Sequence, residues 1–304
     1  MTFTSRWYLQ SSDLERIKAL LMAGRARFRF GGYRHVGDVD WALWYGHYDA
    51  DRTKTIRLWE DESGTLAGYA MLVHAYFEFE VASHLRGSPL EETIVDWCET
   101  HVASTIDTVP ADGAVVASTD AFASDAERVT LLERRGYKPS TGYTMFSRSL
   151  RDAVDDASLP TGYIVGHVRG AEDADQRAAA HFHAFSPGSK MTGDAYRKFM
   201  TAPGYRSELD SIVVAPDGTI AAYAMAWLDD ANLVGEFEPV GTRPDFQRKG
   251  LGKAAMLRGL RALRDHGMED AIVSTNETNI AATRLYESVG FGRVDVHQNY
   301  ERRR

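Results

Sequence analysis

The clearest alternation of apolar and polar positions lies in the second half of the chain. Residues 163–168 read as a strand, and 172–184 and 194–200 read as helices. Two apolar runs, 212–215 and 220–228, flank Pro216-Asp217-Gly218; an Asp-Gly dipeptide between such runs signals a hairpin. A further strand covers 233–242. From 249 to 266 the apolar residues Leu251, Ala254, Ala255, Leu257, Leu260 and Leu263 recur with a helical period. A strand at 271–275, a helix at 279–289 and a strand at 291–300 complete the pattern. Strands first, then alternating strands and helices, predict a mixed α/β sheet with helices on both faces.

The pattern is duplicated. Gly64-Thr-Leu-Ala-Gly-Tyr69-Ala-Met-Leu returns as Gly218-Thr-Ile-Ala-Ala-Tyr223-Ala-Met-Ala, and Leu131-Leu-Glu-Arg-Arg-Gly136-Tyr137 returns as Leu285-Tyr-Glu-Ser-Val-Gly290-Phe291. Both pairs share one offset (218 − 64 = 154 and 290 − 136 = 154). Two separated segments in one register predict two copies of a fold of about 150 residues, a duplicated domain and not a solenoid. Asp152, Asp155, Asp156, Ser158 and Pro160 make 151–160 a polar linker, so the expected domains are 1–150 and 161–304.

Composition narrows the function. The 304 residues suit two domains. Lys and Arg number 35 against 43 Asp and Glu, a net charge of -8, which argues against a nucleic-acid partner that needs a basic face. No apolar run approaches the roughly 18–20 residues of a membrane helix, and the first ten residues lack a signal-peptide pattern. Cys98 is the only cysteine, which excludes an internal disulfide and fits a reducing cytoplasm. Its apolar surroundings (Ile94, Val95, Val102) predict a core position.

Against that acidic background, cations gather in one place. Between 243 and 264 stand Arg243, Arg248, Lys249, Lys253, Arg258, Arg261 and Arg264, opposed before the final turn by Asp245 alone. They surround Gln247-Arg248-Lys249-Gly250-Leu251-Gly252, between a predicted strand and a predicted helix. Glycines without a Cβ let backbone N–H groups approach an oxyanion, and the helix start adds its positive end. A pyrophosphate is the natural guest. The spacing is neither the dinucleotide fingerprint nor a Walker loop.

This loop, followed by a helix, a strand and Asn279-x-x-Ala282-x-x-Leu285-Tyr286-x-x-x-Gly290-Phe291, resembles the GNAT superfamily of acetyl-CoA-dependent N-acetyltransferases. The resemblance covers about 212–300 closely. The run from Gly235-Glu236 through Gly241 and Pro244 to Gly252, with the duplicated architecture, is similar to the mycothiol synthase-like members. It implies an α/β protein of two tandem GNAT folds, each a mixed, splayed sheet flanked by helices. Its co-substrate would be acetyl-CoA, with no metal. Val240 and Thr242 would offer backbone groups to the pantetheine arm, and the Val240 N–H would polarise the thioester carbonyl. Gln247, Arg248, Lys249, Gly250, Gly252 and Lys253 would hold the pyrophosphate. Asn279 would contact the pantetheine or position its motif.

Direct attack on a thioester needs a neutral amine, and lysine-like amines titrate near pH ~10.4, so a base is useful. Glu236 and Glu238, two apart on a strand, point to one face. Glu236, eleven residues before Gln247 (247 − 236 = 11), matches the family's catalytic glutamate; Glu238 is the alternative base, and bulk water a third. Tyr286 matches the family's acid for the departing thiolate; its other reading is an aromatic packed beneath a helix end.

The first copy fails these tests. Its loop reads Arg86-Gly87-Ser88-Pro89-Leu90-Glu91. Proline lacks an N–H, and Glu91 stands where the last glycine should be. At the 154 offset, Leu132 replaces Tyr286 and Asp125 replaces Asn279. Residues 1–150 are therefore expected to be a degenerate, non-catalytic copy. Its aromatic cluster, Phe28, Phe30, Tyr33, Trp41, Trp44, Tyr45 and Tyr48, is either core or acceptor pocket. His181 and His183 have no third residue nearby to complete a metal site. The expected function is acetylation of a small-molecule primary amine. Alternatives are acetylation of a protein amine and an acyl-CoA-binding regulatory module; retention of Glu236 and Tyr286 favours an enzyme.

Overall fold

A computed structural model of the chain describes residues 2–27, 34–45, 51–104 and 112–304. The elements are, in order, β1 (Thr4–Trp7), α1 (Ser11–Arg27), α2 (Val36–Trp44), α3 (Arg52–Thr55), β2 (Ile56–Glu60), β3 (Leu66–Val73), β4 (Tyr76–Val81), α4 (Pro89–Ser104), β5 (Val115–Phe122), α5 (Ala126–Arg134) and β6 (Lys138–Ser149). There follow β7 (Ile164–His167), α6 (Ala174–Ala184), α7 (Gly193–Phe199), β8 (Asp210–Val214), β9 (Ile220–Asp229), β10 (Val234–Thr242), α8 (Leu251–Asp265), β11 (Asp270–Asn276), α9 (Ile280–Ser288) and β12 (Gly292–Arg303).

Two compact units result, and they are not the two contiguous halves that the repeat alone predicts. One comprises Met1–Arg34, Ala50–Thr144 and Asp295–Arg304; the other comprises His35–Asp49 and Met145–Val294. The reason is physical. Residues 297–303 of β12 pair antiparallel with β5, which completes the first unit's sheet. Helix α2 lays Gly37 and Val39 into the second unit beside Trp227 of β9. Residues 152–160 carry no helix or strand.

In the first unit the strand order is β1-β2-β3-β4-β5-β12. Helix α4 buries Ile94, Val95, Cys98 and Val102 against Ala70, Phe77 and Phe79, so Cys98 is core, and burial raises its thiol's pKa. In the second unit the order is β6-β11-β10-β9-β8-β7. The periodic face of α8 packs onto β8, β9 and β10. Each fully buried leucine there contributes about 1.5–3 kcal/mol by leaving water. Among the described residues, no helix is long and apolar enough to cross a membrane.

Candidate functional site

The site is organised by the way β10 leaves its neighbour. Val234–Phe237 pair in parallel with β11 and antiparallel with β9. The β9 register then slips between Phe237 and Val240, and pairing resumes with Val240 opposite Ala224 and Thr242 opposite Ala222. The parallel register with β11 stops at Phe237. Glu238-Pro239, joined by a cis peptide, occupy the slip, and Pro239 brings no N–H to a ladder. The indole Nε1 of Trp227 donates to the Glu238 carbonyl at 2.7 Å and holds the bulge from the β9 side. The outcome is a splayed strand whose far end, including Val240 and Thr242, is paired on the β9 edge.

Beyond it, a 3-10 turn at Pro244–Phe246 leads into the loop. Arg248 has φ 60° and Gly250 has φ 76°, a left-handed pair that lets the chain enter α8 abruptly. Gly250 is the helix N-cap and brings no side chain to cover the first amides; an uncapped helix start is a ready anion site. A Cβ on Gly252 would lie 3.0 Å from Thr242 Oγ1 and 3.4 Å from a methyl of Leu285, so glycine lets the helix start sit against the end of β10. Gln247, Arg248, Lys249 and Gly250 are exposed and Lys253 is half-buried. Lys249 lies 5.1 Å from the Phe246 ring, with its Nζ donating to the Asp245 carbonyl at 3.4 Å. This arrangement fits a pyrophosphate: bare amides, no covering carboxylate side chain, and solvent-facing cations.

The two glutamates have different neighbours. Glu236 is buried, and its Oε2 lies 3.4 Å from Nδ1 of His35. Glu238 is half-buried and its charge acts on Tyr286. Tyr286, on α9, is buried edge-on to Phe146 at 5.7 Å. Burial first, and then the Glu238 charge, raise its phenol well above the ordinary value, so it keeps its proton at neutral pH. Asn279 is the N-cap of α9, its Oδ1 accepting from Ala282 N at 3.1 Å.

His35 was absent from the expectations. It precedes α2 in the first repeat, 199 residues from the Val234 carbonyl it touches, and no motif links it to β10. The aromatics around it divide. Trp41 and Tyr45 stack 4.6 Å apart against Phe199 and His181, as core of the second unit, and Trp44 packs against the same cluster. Phe28, Phe30, Tyr33 and Tyr48 lie outside the described residues. His181 is buried with Nδ1 2.9 Å from Ser189 Oγ, and burial plus the Arg177 charge lower it to about 3. Among the described residues no group of three or more His, Cys, Asp or Glu is placed to hold a metal.

The first unit's equivalent loop has a different occupant. Glu91 Oε2 accepts from the Gly87 amide at 2.8 Å, and Glu91 Oε1 accepts from Arg128 at 3.3 Å. Pro89 opens α4, and the β3–β4 register runs unbroken from Gly68–Val81 to Val73–Tyr76. A cleft of about 420 Å³ persists beside the loop, lined by Glu91, Glu92, Glu127 and Arg134 among others. Leu132 is fully buried where the second unit has Tyr286.

Residues 187–291 match the Acetyltransferase (GNAT) family. The chain is 41% identical over 96 residues to a mycothiol acetyltransferase of Nocardiopsis dassonvillei, covering 29% of each protein. It is 28% identical over 174 residues to a mycothiol acetyltransferase of Salinispora arenicola, covering 55% of this chain and 57% of that one. The matched stretches thus span little more than half of these relatives' length at most. Two solved structures share the fold over 99% of the chain. One is a GCN5-related N-acetyltransferase from Sphaerobacter thermophilus, with TM-score 0.67, 20% identity and 95% of that chain covered. The other is a tandem GNAT protein from the clavulanic acid biosynthesis pathway, with TM-score 0.71, 13% identity and 98% covered. Residues 187–291 thus match a GNAT acetyltransferase domain, and the chain as a whole shares its fold with a tandem GNAT protein.

Proposed function

We propose, from the GNAT domain in residues 187–291, that the chain moves acetyl from acetyl-CoA to a primary amine of a small molecule, by direct attack in a ternary complex. The observation that carries this reading is the splay of β10 at Glu238-Pro239 beside the uncapped start of α8. It supplies backbone for a pantetheine arm and amides for its pyrophosphate together. The relatives named mycothiol acetyltransferase support a small acceptor.

The roles follow from the surroundings of each group. The amides from Gly250 into α8, with Arg248, Lys249 and Lys253, hold the pyrophosphate; Gln247 belongs to the same loop. Val240 and Thr242 pair with the pantetheine arm, and the Val240 N–H polarises the thioester carbonyl. Bound acetyl-CoA supplies the acetyl thioester. The amine lone pair forms the N–C bond, the C–S bond breaks, and its electron pair leaves on sulfur. Glu236 takes the amine proton, with Glu238 as the alternative base. Tyr286, kept as a phenol, returns a proton to the sulfur.

An amine-library screen with acetyl-CoA tests this, reading thiol release and product mass. Mass gain of one acetyl on a small primary amine is the expected result. Acetylation confined to protein lysines would overturn the small-molecule assignment, and CoA binding without any thiol release would overturn the enzymatic one.

A further inference from the structure

Glu236 has a partner that its reaction would need. A carboxylate of ordinary pKa, about 4.3, is a weak acceptor for a proton from an amine. It becomes a better one where something nearby stabilises its protonated form.

His35 is placed to do so. Its side chain is fully buried, and Nε2 lies 3.2 Å from the Val234 carbonyl. A carbonyl oxygen only accepts, so Nε2 carries the hydrogen. Nδ1 accepts from the Gly37 amide at 3.1 Å, as the N-cap of α2, which places the lone pair there. Glu236 Oε2 stands 3.4 Å from that same nitrogen. A carboxylate and a ring lone pair are both acceptors, so the contact is completed only by a proton.

We propose that His35 is the positioning residue behind the base: the proton that Glu236 removes from the acceptor amine is shared as Oε2–H···Nδ1. This rests on Glu236 being the base. The balance is simple. The amine loses one proton, the Glu236–His35 pair gains it, and the pair returns it to solvent after product leaves. While the proton is held, the Gly37 amide shares the lone pair, and the Asp38 carboxylate, accepting from the His35 amide at 3.2 Å, keeps the other half of the cap.

Charged groups also stand on α2 itself and on the elements packed against it, among them Glu238 on β10. On α2, Asp40 is buried and accepts from the Gly204 amide at 2.8 Å. Strand β9 ends in Asp229. Helix α7 carries Asp194, Arg197 and Lys198, of which Asp194 and Arg197 pair at 3.1 Å. Glu236 brings a carboxylate oxygen to 3.4 Å from the ring nitrogen.

His35→Asn tests this in the full chain. Asparagine is a preferred N-cap, so α2 keeps its start while the ring is lost. With the best amine from the screen, kcat should fall about tenfold, the worth of one hydrogen bond to an ionisable group, with KM and Kd for acetyl-CoA unchanged. The acid limb of kcat/KM should move to lower pH, because the carboxyl then takes its proton less readily. In a Glu236→Gln background the same change should cost nothing further. Nitrogen-15 spectra of the histidine rings, with no acceptor present, should show His35 as the Nε2–H form and its titration altered by Glu236→Gln.

Glu236→Gln with full activity would remove the base assignment itself. A crippled Glu236→Gln beside a His35→Asn of wild-type rate and acid limb would leave that assignment standing and overturn the role of His35. An equal tenfold loss in the Glu236→Gln background would reduce His35 to packing. If His35→Asn does not fold, His35→Ser, another N-cap, takes its place in the same measurements.

Discussion

The two glycine-containing loops occupy corresponding places in the two units and differ in what fills them. At the start of α8 the chain offers Gly250, Leu251 and Gly252, with bare amides and cations facing solvent. At the start of α4 the corresponding residues are Pro89, Leu90 and Glu91. There one carboxylate oxygen accepts from Gly87 and the other from Arg128. In the first unit a cleft lies beside the loop and a carboxylate of the chain itself takes the loop's donors, while the β3–β4 register stays unbroken where β10 slips. One fold thus accommodates both a loop closed by an anion of the chain itself and a loop whose amides stay open to an anion from solution.

The sharpest way to break this comparison is to copy the joint into the cradle. Gly252→Glu should reduce CoA affinity more than about a hundredfold, since it sets a carboxylate against the phosphates and a side chain into the 3.0 Å approach to Thr242. Calorimetry on the wild type should give one CoA site per chain; two sites, or undiminished affinity in a folded Gly252→Glu, would dissolve the distinction.

Glu236→Gln and Tyr286→Phe separate the second unit's chemistry from its binding. The first should lower kcat/KM about a hundredfold, most at low pH where the acceptor is an ammonium. The second should lower kcat about tenfold with CoA affinity intact, because Phe keeps the contact with Phe146. A Glu236→Gln defect that is only twofold and flat with pH would transfer the base to Glu238 or to solvent.

The two units should also differ in acid. His181, in the second, is held at about 3 against an ordinary 6.5, chiefly by burial. A folded-state pKa below the unfolded one means that the unfolded chain takes the proton first. The stability associated with His181 is thus full above about pH 6.5 and is lost as pH falls toward 3, about 2 kcal/mol by pH 5. Asp13, in the first unit, is lowered to about 2 by its hydrogen bond to Arg6. Its contribution is full above about pH 4 and is lost between there and pH 2. Hydrogen exchange followed against pH should therefore show the second unit loosening first, and His181→Gln should flatten that response.

Glu91→Gln should produce the smallest effect, about 1 kcal/mol, because the amide oxygen still serves Gly87 and Arg128 keeps Glu80 at 3.3 Å. Thermal unfolding measures it. Any CoA binding gained by that change would mean that charge alone silenced the first loop.

The parts legible in sequence were those set by short-range rules. The hairpin at Asp217-Gly218, the period of α8 and the loop at 247–252 each follow from residues within a few positions. Arg177 reads as one more polar residue on a surface helix, yet it is fully buried, paired with Asp210 at 2.9 Å and stacked 3.5 Å from the Tyr223 ring. His35 has no local signal for a role at β10. The exchange of 35–49 and 295–304 between units is likewise invisible, because strand partners far apart in sequence are chosen by sheet geometry and not by pattern.

That exchange bears on biosynthesis. Strand β5 acquires its neighbour from residues 297–303, which the ribosome makes after the whole of the second unit's span. Domains usually fold in order of emergence. Here the half translated first stays one strand short until residues 297–303 have been made, with β5 carrying an open edge through the intervening translation. The second unit is free to mature before the one that precedes it.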